Sequence, residues 1–101
     1  MREPNYIDKV KTELLKHIKV GTGLQNTYAL LVLVKGENVT LKDVHDAWAV
    51  SINQTWDHEL NGAHRSLIPF EDLSPEIQAK DQPFVDAIIK TAQSSYPHRE
   101  G

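Results

Sequence analysis

The chain has 101 residues, 40 % hydrophobic and 25 % charged, a balance that excludes disorder and leaves room for one core but not two. With 11 basic against 14 acidic residues the formal net charge is −3, so a phosphate-neutralising nucleic-acid surface is not expected. Cysteine is absent, which removes disulfides, thiolate nucleophiles and cysteine-ligated metal sites and fits a reducing compartment.

The polar start, Met1 to Asp8, lacks the apolar core of a signal peptide. From Tyr6 to Lys19 the apolar positions Ile7, Val10, Leu14 and Ile18 recur at spacings of three and four, which predicts an amphipathic helix. Lys9, Lys11, Lys16 and Lys19 interleave there with Asp8 and Glu13, the pattern of a solvated face. Gly21 and Gly23 are expected to end this helix, with glycine in the left-handed conformation of a C-terminal cap.

Leu24 to Lys35 contains Tyr28-Ala-Leu-Leu-Val-Leu-Val34, which is apolar on every side, so periodicity cannot type it. Its length, its alanine and leucines, and Gly36 as a stop favour a buried helix over a strand. The apolar run is far too short to span a bilayer, and a cytoplasmic protein is expected. Residues Ala29 to Val34 exceed what so small a monomer readily buries, which favours a homodimer seam, although a central core helix accounts for the run almost as well.

Thr40 with Asp43 three residues on is a variant of the capping box, and Val39 before it is the staple candidate. The helix it opens carries Leu41, Val44, Trp48 and Ile52 on its core face, with Trp56 near its end. Asp57 to Ser66 is polar, contains Asn61-Gly62 and reads as an exposed loop, a common carrier of binding groups. Leu67-Ile68-Pro69-Phe70 is an extended apolar crossing, because proline removes an amide donor and pushes Ile68 out of the helical region.

Ser74-Pro75-Glu76 is a helix start, with serine as cap, proline in the first turn and an acid at the positive end of the dipole. Asp81-Gln82-Pro83 repeats it and opens a last helix with the stripe Phe84, Val85, Ile88, Ile89 and Ala92. Ser94 to Gly101 reads as a frayed tail. The fold class is mainly α: a single-domain bundle over residues 1–101, of four to five helices with an extended Leu-x-Pro-Phe crossing.

Little of this pattern is catalytic. There is no Gly-x-Ser-x-Gly elbow and no phosphate-cradling glycine loop, and Glu71, Asp72 and Glu76 sit where helix dipoles favour acids. His58 and His64 with Asp57 or Glu59 have no recognised metal spacing, so neither a metal nor a cofactor is expected. His45 and Trp48 share a helix face. A ring nitrogen of His45 can bond the backbone of the Pro69 crossing while the indole packs beneath it. The alternative is a pocket in which Trp48, Trp56 and Phe70 stack a planar group and His45, His64 or Arg65 contacts its polar edge.

From Val44 to Asp81 the chain reads Val-His-Asp-Ala-Trp, a second tryptophan at Trp56, then His64-x-x-Leu67-x-Pro69-Phe70-x-x-Leu73 and Asp81. This block resembles the ryanodine-receptor repeat domain, in which a histidine three before a tryptophan is followed by a histidine, a Leu-x-Pro-aromatic segment, a leucine and an aspartate. The wider stretch Tyr28 to Ile88, about three fifths of the chain, looks like small proteins of actinobacteria and their phages that carry no assigned activity. The chain departs from the repeat at Thr55-Trp56-Asp57, where the family has glycine beside its second aromatic and a Tyr-Gly pair after it, which counts against a shared ligand pocket.

The resemblance implies a structural or interaction module. Prokaryotic relatives stand beside nucleotide-signalling and defence proteins, which implies a sensor or binding role without catalysis. The expected function is therefore a non-enzymatic binding module, cytoplasmic or in a host cytoplasm if phage-encoded, that recognises a host or self protein partner or a nucleotide-like ligand. His45, Trp48, Trp56, His64, Arg65 and Phe70 are its candidate contacts. The alternative is a structural, dimerising accessory protein with no small-molecule site.

Overall fold

The computed structural model describes residues 3–95; residues 96–101 of the expected tail lie outside the described residues, while Ser94 and Ser95 still belong to the last helix. Six α-helical segments follow one another: α1 (Tyr6–Leu15), α2 (Thr22–Val34), α3 (Leu41–Thr55), α4 (His58–Asn61), α5 (Pro75–Ala79) and α6 (Gln82–Ser95). Two 3-10 turns, Gly36–Asn38 and Phe70–Asp72, join them, and no strand occurs among the described residues. The mainly α bundle expected from the pattern is what forms, with α4 a single turn inside the expected loop.

Capping sets most of the starts. The Asn5 side chain accepts from the Ile7 and Asp8 amides at 2.9 and 3.0 Å, and the Asn5 amide donates in turn to the Asp8 carboxylate at 3.0 Å. Thr40 and Asp43 make the same reciprocal pair at 2.9 and 3.1 Å. Each box satisfies amides that a helix start otherwise leaves open. Val39 just before the cap and Val44 at the fourth helical position are both buried in the core, the arrangement of a hydrophobic staple.

The α1–α2 connection corrects the expectation. Helix α1 stops at Leu15, four residues early, and neither Gly21 nor Gly23 takes a left-handed conformation. Gly21 is instead the extended N-cap of α2 (φ −61°, ψ 154°) and Gly23 lies inside that helix. The cause is tertiary: Ile18 and Val20 both pack against the core, so the chain leaves its helical path before the glycines are reached. Ile7, expected on the buried stripe, is exposed. The left-handed glycines are Gly36 (φ +56°), which stops α2, and Gly62 (φ +71°), after α4.

The core is assembled from the two ends of the chain. Val10 and Leu14 of α1, Tyr28, Ala29, Leu31 and Val32 of α2, Val44 at the start of α3, and Val85, Ala87, Ile88 and Ala92 of α6 close on one another. The rings of Tyr28 and Phe84 meet at 5.5 Å. The middle of the chain stays outside this core: beyond His45, the buried residue between α3 and α6 is Leu73. Principal extents of 45 × 36 × 19 Å describe a slab, and the 14.7 Å radius of gyration exceeds the ~13 Å of a rounder chain of this length. A slab this thin leaves apolar residues uncovered.

Candidate functional site

The second half of α3 and the segment after it form an aromatic row beside the core. Trp48, on α3, stacks on His45 with ring centroids 5.7 Å apart; Phe70 lies on the same histidine at 6.1 Å. His64 meets Trp48 edge-on at 5.3 Å and Trp56 edge-on at 4.6 Å. The row thus runs Phe70, His45, Trp48, His64, Trp56. Five of the six candidate residues are brought together, but the space between the two indoles is occupied by the imidazole of His64. Edge-to-face contact of this kind is a favourable packing geometry for aromatic rings.

His45 is the clasp. It is 3 % exposed, and its Nε2 lies 2.7 Å from the carbonyl oxygen of Ile68. A carbonyl only accepts, so His45 Nε2 carries a hydrogen and donates it. This single bond fastens α3 to the Leu67–Phe70 crossing, where Pro69 is extended (φ −57°, ψ 146°). The crossing is shorter than expected, because Phe70 already opens the 3-10 turn Phe70–Asp72. Gln78 of α5 fixes that turn by donating to the Phe70 and Leu73 carbonyls at 3.0 and 3.2 Å.

Asp81 stands behind the clasp. Burial pushes its carboxyl above the usual carboxylate range, while the charge of His45 acts in the opposite direction. Burial, with the Asp81 charge adding to it, likewise raises the Tyr28 hydroxyl well above the ordinary tyrosine value. On the outer side Lys42 reaches Asp46 at 3.0 Å and Glu71 at 3.9 Å, and Asp46 raises the lysine in turn.

The loop from Trp56 to Ser66 is pinned along its length. Trp56 caps α3, its amide donating to Ile52 at 2.7 Å, while its indole Nε1 donates to the Gly62 carbonyl at 2.7 Å. The Asp57 side chain accepts from the Leu60 amide at 2.9 Å and so caps α4. His64 Nδ1 accepts from the Ser66 amide at 3.0 Å, and the Leu67 amide donates to the His64 carbonyl at 3.0 Å. His58 Nε2 lies 3.1 Å from Asn53 Oδ1. On this frame Leu60 stands 79 % exposed, and Arg65 is exposed with no ion pair among the described residues.

Two chemical consequences follow. In a neutral His64 the proton sits on Nε2, since Nδ1 is an acceptor, and His45 Nε2 is tied to a carbonyl, so neither ring offers a free basic nitrogen on an open surface. Nor do His58, His64, Asp57 and Glu59 converge: among the described residues no three His, Cys, Asp or Glu side chains are placed to share a metal ion. Leu60, Gly62, Ser66 and Asp81 join the site without being among the contacts expected from the sequence, although Asp81 closes the repeat-like pattern there. The Asn-Gly pair and the Asp57 cap position were the available signals for the first two.

Among the described residues no helix is long and apolar enough to cross a membrane. No curated protein and no solved structure matches the chain. Residues 5–93 match the family described as "Domain of unknown function (DUF7701)", and the chain belongs to that family.

Proposed function

We propose that the protein is a non-enzymatic interaction module whose Trp56–Ser66 loop docks on a partner protein. One observation carries this reading: an apolar side chain and a free guanidinium, Leu60 and Arg65, stand out from a loop already held by its own hydrogen bonds. A pre-ordered loop loses little conformational freedom on binding, and arginine and large apolar groups are the side chains that interfaces favour. The resemblance to the ryanodine-receptor repeat and to actinobacterial and phage proteins supports an interaction role, in a cytoplasm or a host cytoplasm. A nucleotide-like ligand stacked between Trp48 and Trp56 is the weaker reading, because His64 would first have to leave the space between them.

A photo-crosslinking residue at Leu60 tests the proposal in an extract of the source organism. We expect one discrete adduct that is lost on Arg65→Glu and absent when the crosslinker replaces Lys90 on α6. Equal labelling from both positions overturns it. Quenching of tryptophan fluorescence by a mononucleotide or cyclic dinucleotide, abolished by Trp56→Phe, would favour the small-ligand reading instead.

A further inference from the structure

Five asparagines are spread along the chain, and the residue after each one decides how labile its side-chain amide is. Asn5, Asn26, Asn38 and Asn53 precede Tyr6, Thr27, Val39 and Gln54, whose side chains crowd the next backbone nitrogen; Asn61 precedes Gly62, which has none. Asn61 ends α4 and is exposed, and its side-chain amide makes no hydrogen bond among the described residues. Gly62 is exposed as well, and the space where a Cβ would stand on it is open. Three bonds hold the pair shut. The Gly62 amide donates to the His58 carbonyl at 2.9 Å, the Asn61 amide to the Asp57 carbonyl at 2.9 Å, and the Trp56 indole to the Gly62 carbonyl at 2.7 Å.

We propose that Asn61 is a site of spontaneous deamidation whose rate is set by opening of the Trp56–Ser66 loop. The Gly62 nitrogen, having given its proton to hydroxide, attacks Asn61 Cγ. The new N–Cγ bond closes a succinimide ring; the Cγ–Nδ2 bond breaks, and the amide nitrogen leaves as ammonia with a proton taken from water. Water then opens the ring at either carbonyl, leaving aspartate at position 61 or an isoaspartyl link in which the main chain runs through the side chain. One water is consumed and one ammonia released, and nothing is oxidised or reduced. In the closed loop the attacking nitrogen is occupied, because its proton is bonded to the His58 carbonyl. Ring closure therefore draws on the open fraction of the loop, as amide hydrogen exchange does. The isoaspartyl form inserts a methylene into the chain before Gly62 and so displaces the carbonyl that the Trp56 indole grips. Either product also adds a negative charge between Leu60 and Arg65 in the sequence. The chemistry needs no partner, so it stands whether or not the loop docks on one.

Incubation of the full chain at mildly alkaline pH and physiological temperature, followed by peptide mass spectrometry, tests this. Trypsin releases Asp43–Arg65, which holds Asn53 and Asn61 together, so fragment ions compare the two in one molecule. We expect the amide-to-acid mass increase to accumulate at Asn61, as both isomers, while Asn53 and the other asparagines stay intact. The urea-unfolded chain, in which nothing occupies the Gly62 nitrogen, should convert at Asn61 several-fold faster. Trp56→Phe should speed the native rate at Asn61 several-fold, and so, independently, should Asp57→Ala, which frees the Leu60 amide. Slow hydrogen exchange of the α6 core amides shows that each variant is folded. An Asn61 that stays intact in the native chain overturns the site, and so does equal conversion at Asn53. A native rate that neither variant changes, or that equals the rate in urea, overturns the control by loop opening.

Discussion

His45 shows how one side chain can hold a segment that has almost no core of its own. The crossing at Leu67–Phe70 contributes no residue to the central cluster, yet its Ile68 carbonyl is gripped from α3 at 2.7 Å. His45→Ala removes a buried ring and that bond together, and should lower stability by about 1–3 kcal/mol in urea unfolding, with His45→Gln recovering part of the loss by restoring a donor. A loss near zero would mean that the clasp holds nothing. Asp81 makes a second residue-scale prediction, in which the sign matters. Its carboxyl is raised chiefly by burial, so the folded chain holds this proton more tightly than the unfolded chain does. The resulting stability is complete below the unfolded carboxylate value of about 4 and is lost as pH rises through the raised folded value. Asp81→Asn should therefore gain on the native chain between about pH 3.5 and pH 7, measured as the difference in urea midpoints. A difference that does not change with pH would refute it.

At the scale of elements, short-range chemistry was readable where side chain and backbone settle the matter locally. Thr40 with Asp43 marks the start of α3 because the bonds close within four residues, and Ser74 with Pro75 marks α5 for the same reason. The end of α1 was not readable. Gly21 and Gly23 look like a cap, but packing of Ile18 and Val20 on the core ends the helix sooner, and that is information no local window holds. The candidate site divides in the same way. Association of His45 with the Pro69 crossing was legible from residue types and spacing. The wedging of His64 between Trp48 and Trp56 depends on how the loop folds back, which begins with the indole bond to Gly62. Trp56→Phe keeps an aromatic ring and deletes that donor. It should free the loop by about 0.5–1.5 kcal/mol, seen as several-fold faster hydrogen exchange of the Leu60, Asn61 and Gly62 amides. Unchanged exchange at those amides would show that Asp57 and α4 hold the loop unaided.

Across the whole molecule, stability and the proposed contact surface come from different parts of the chain. α1, α2 and α6, with the first turn of α3, supply the buried cluster; Trp56 to Ser66 supplies hydrogen bonds and exposed side chains but no residue of that cluster. Local opening of the loop should therefore cost less than global unfolding, as is usual for elements that bind. Ile88, fully buried at the centre of α6, separates the two processes. Ile88→Ala should cost about 2–5 kcal/mol through lost burial and the cavity left behind. In native-state hydrogen exchange the protected amides of α2 and α6 should speed up by that full amount, because they open only with the whole fold. The amides of 58–66 should hardly change, because their opening leaves the Ile88 environment intact. If loop and core amides accelerate together, the molecule is a single cooperative unit, and the loop's order is borrowed from the core rather than built from its own bonds.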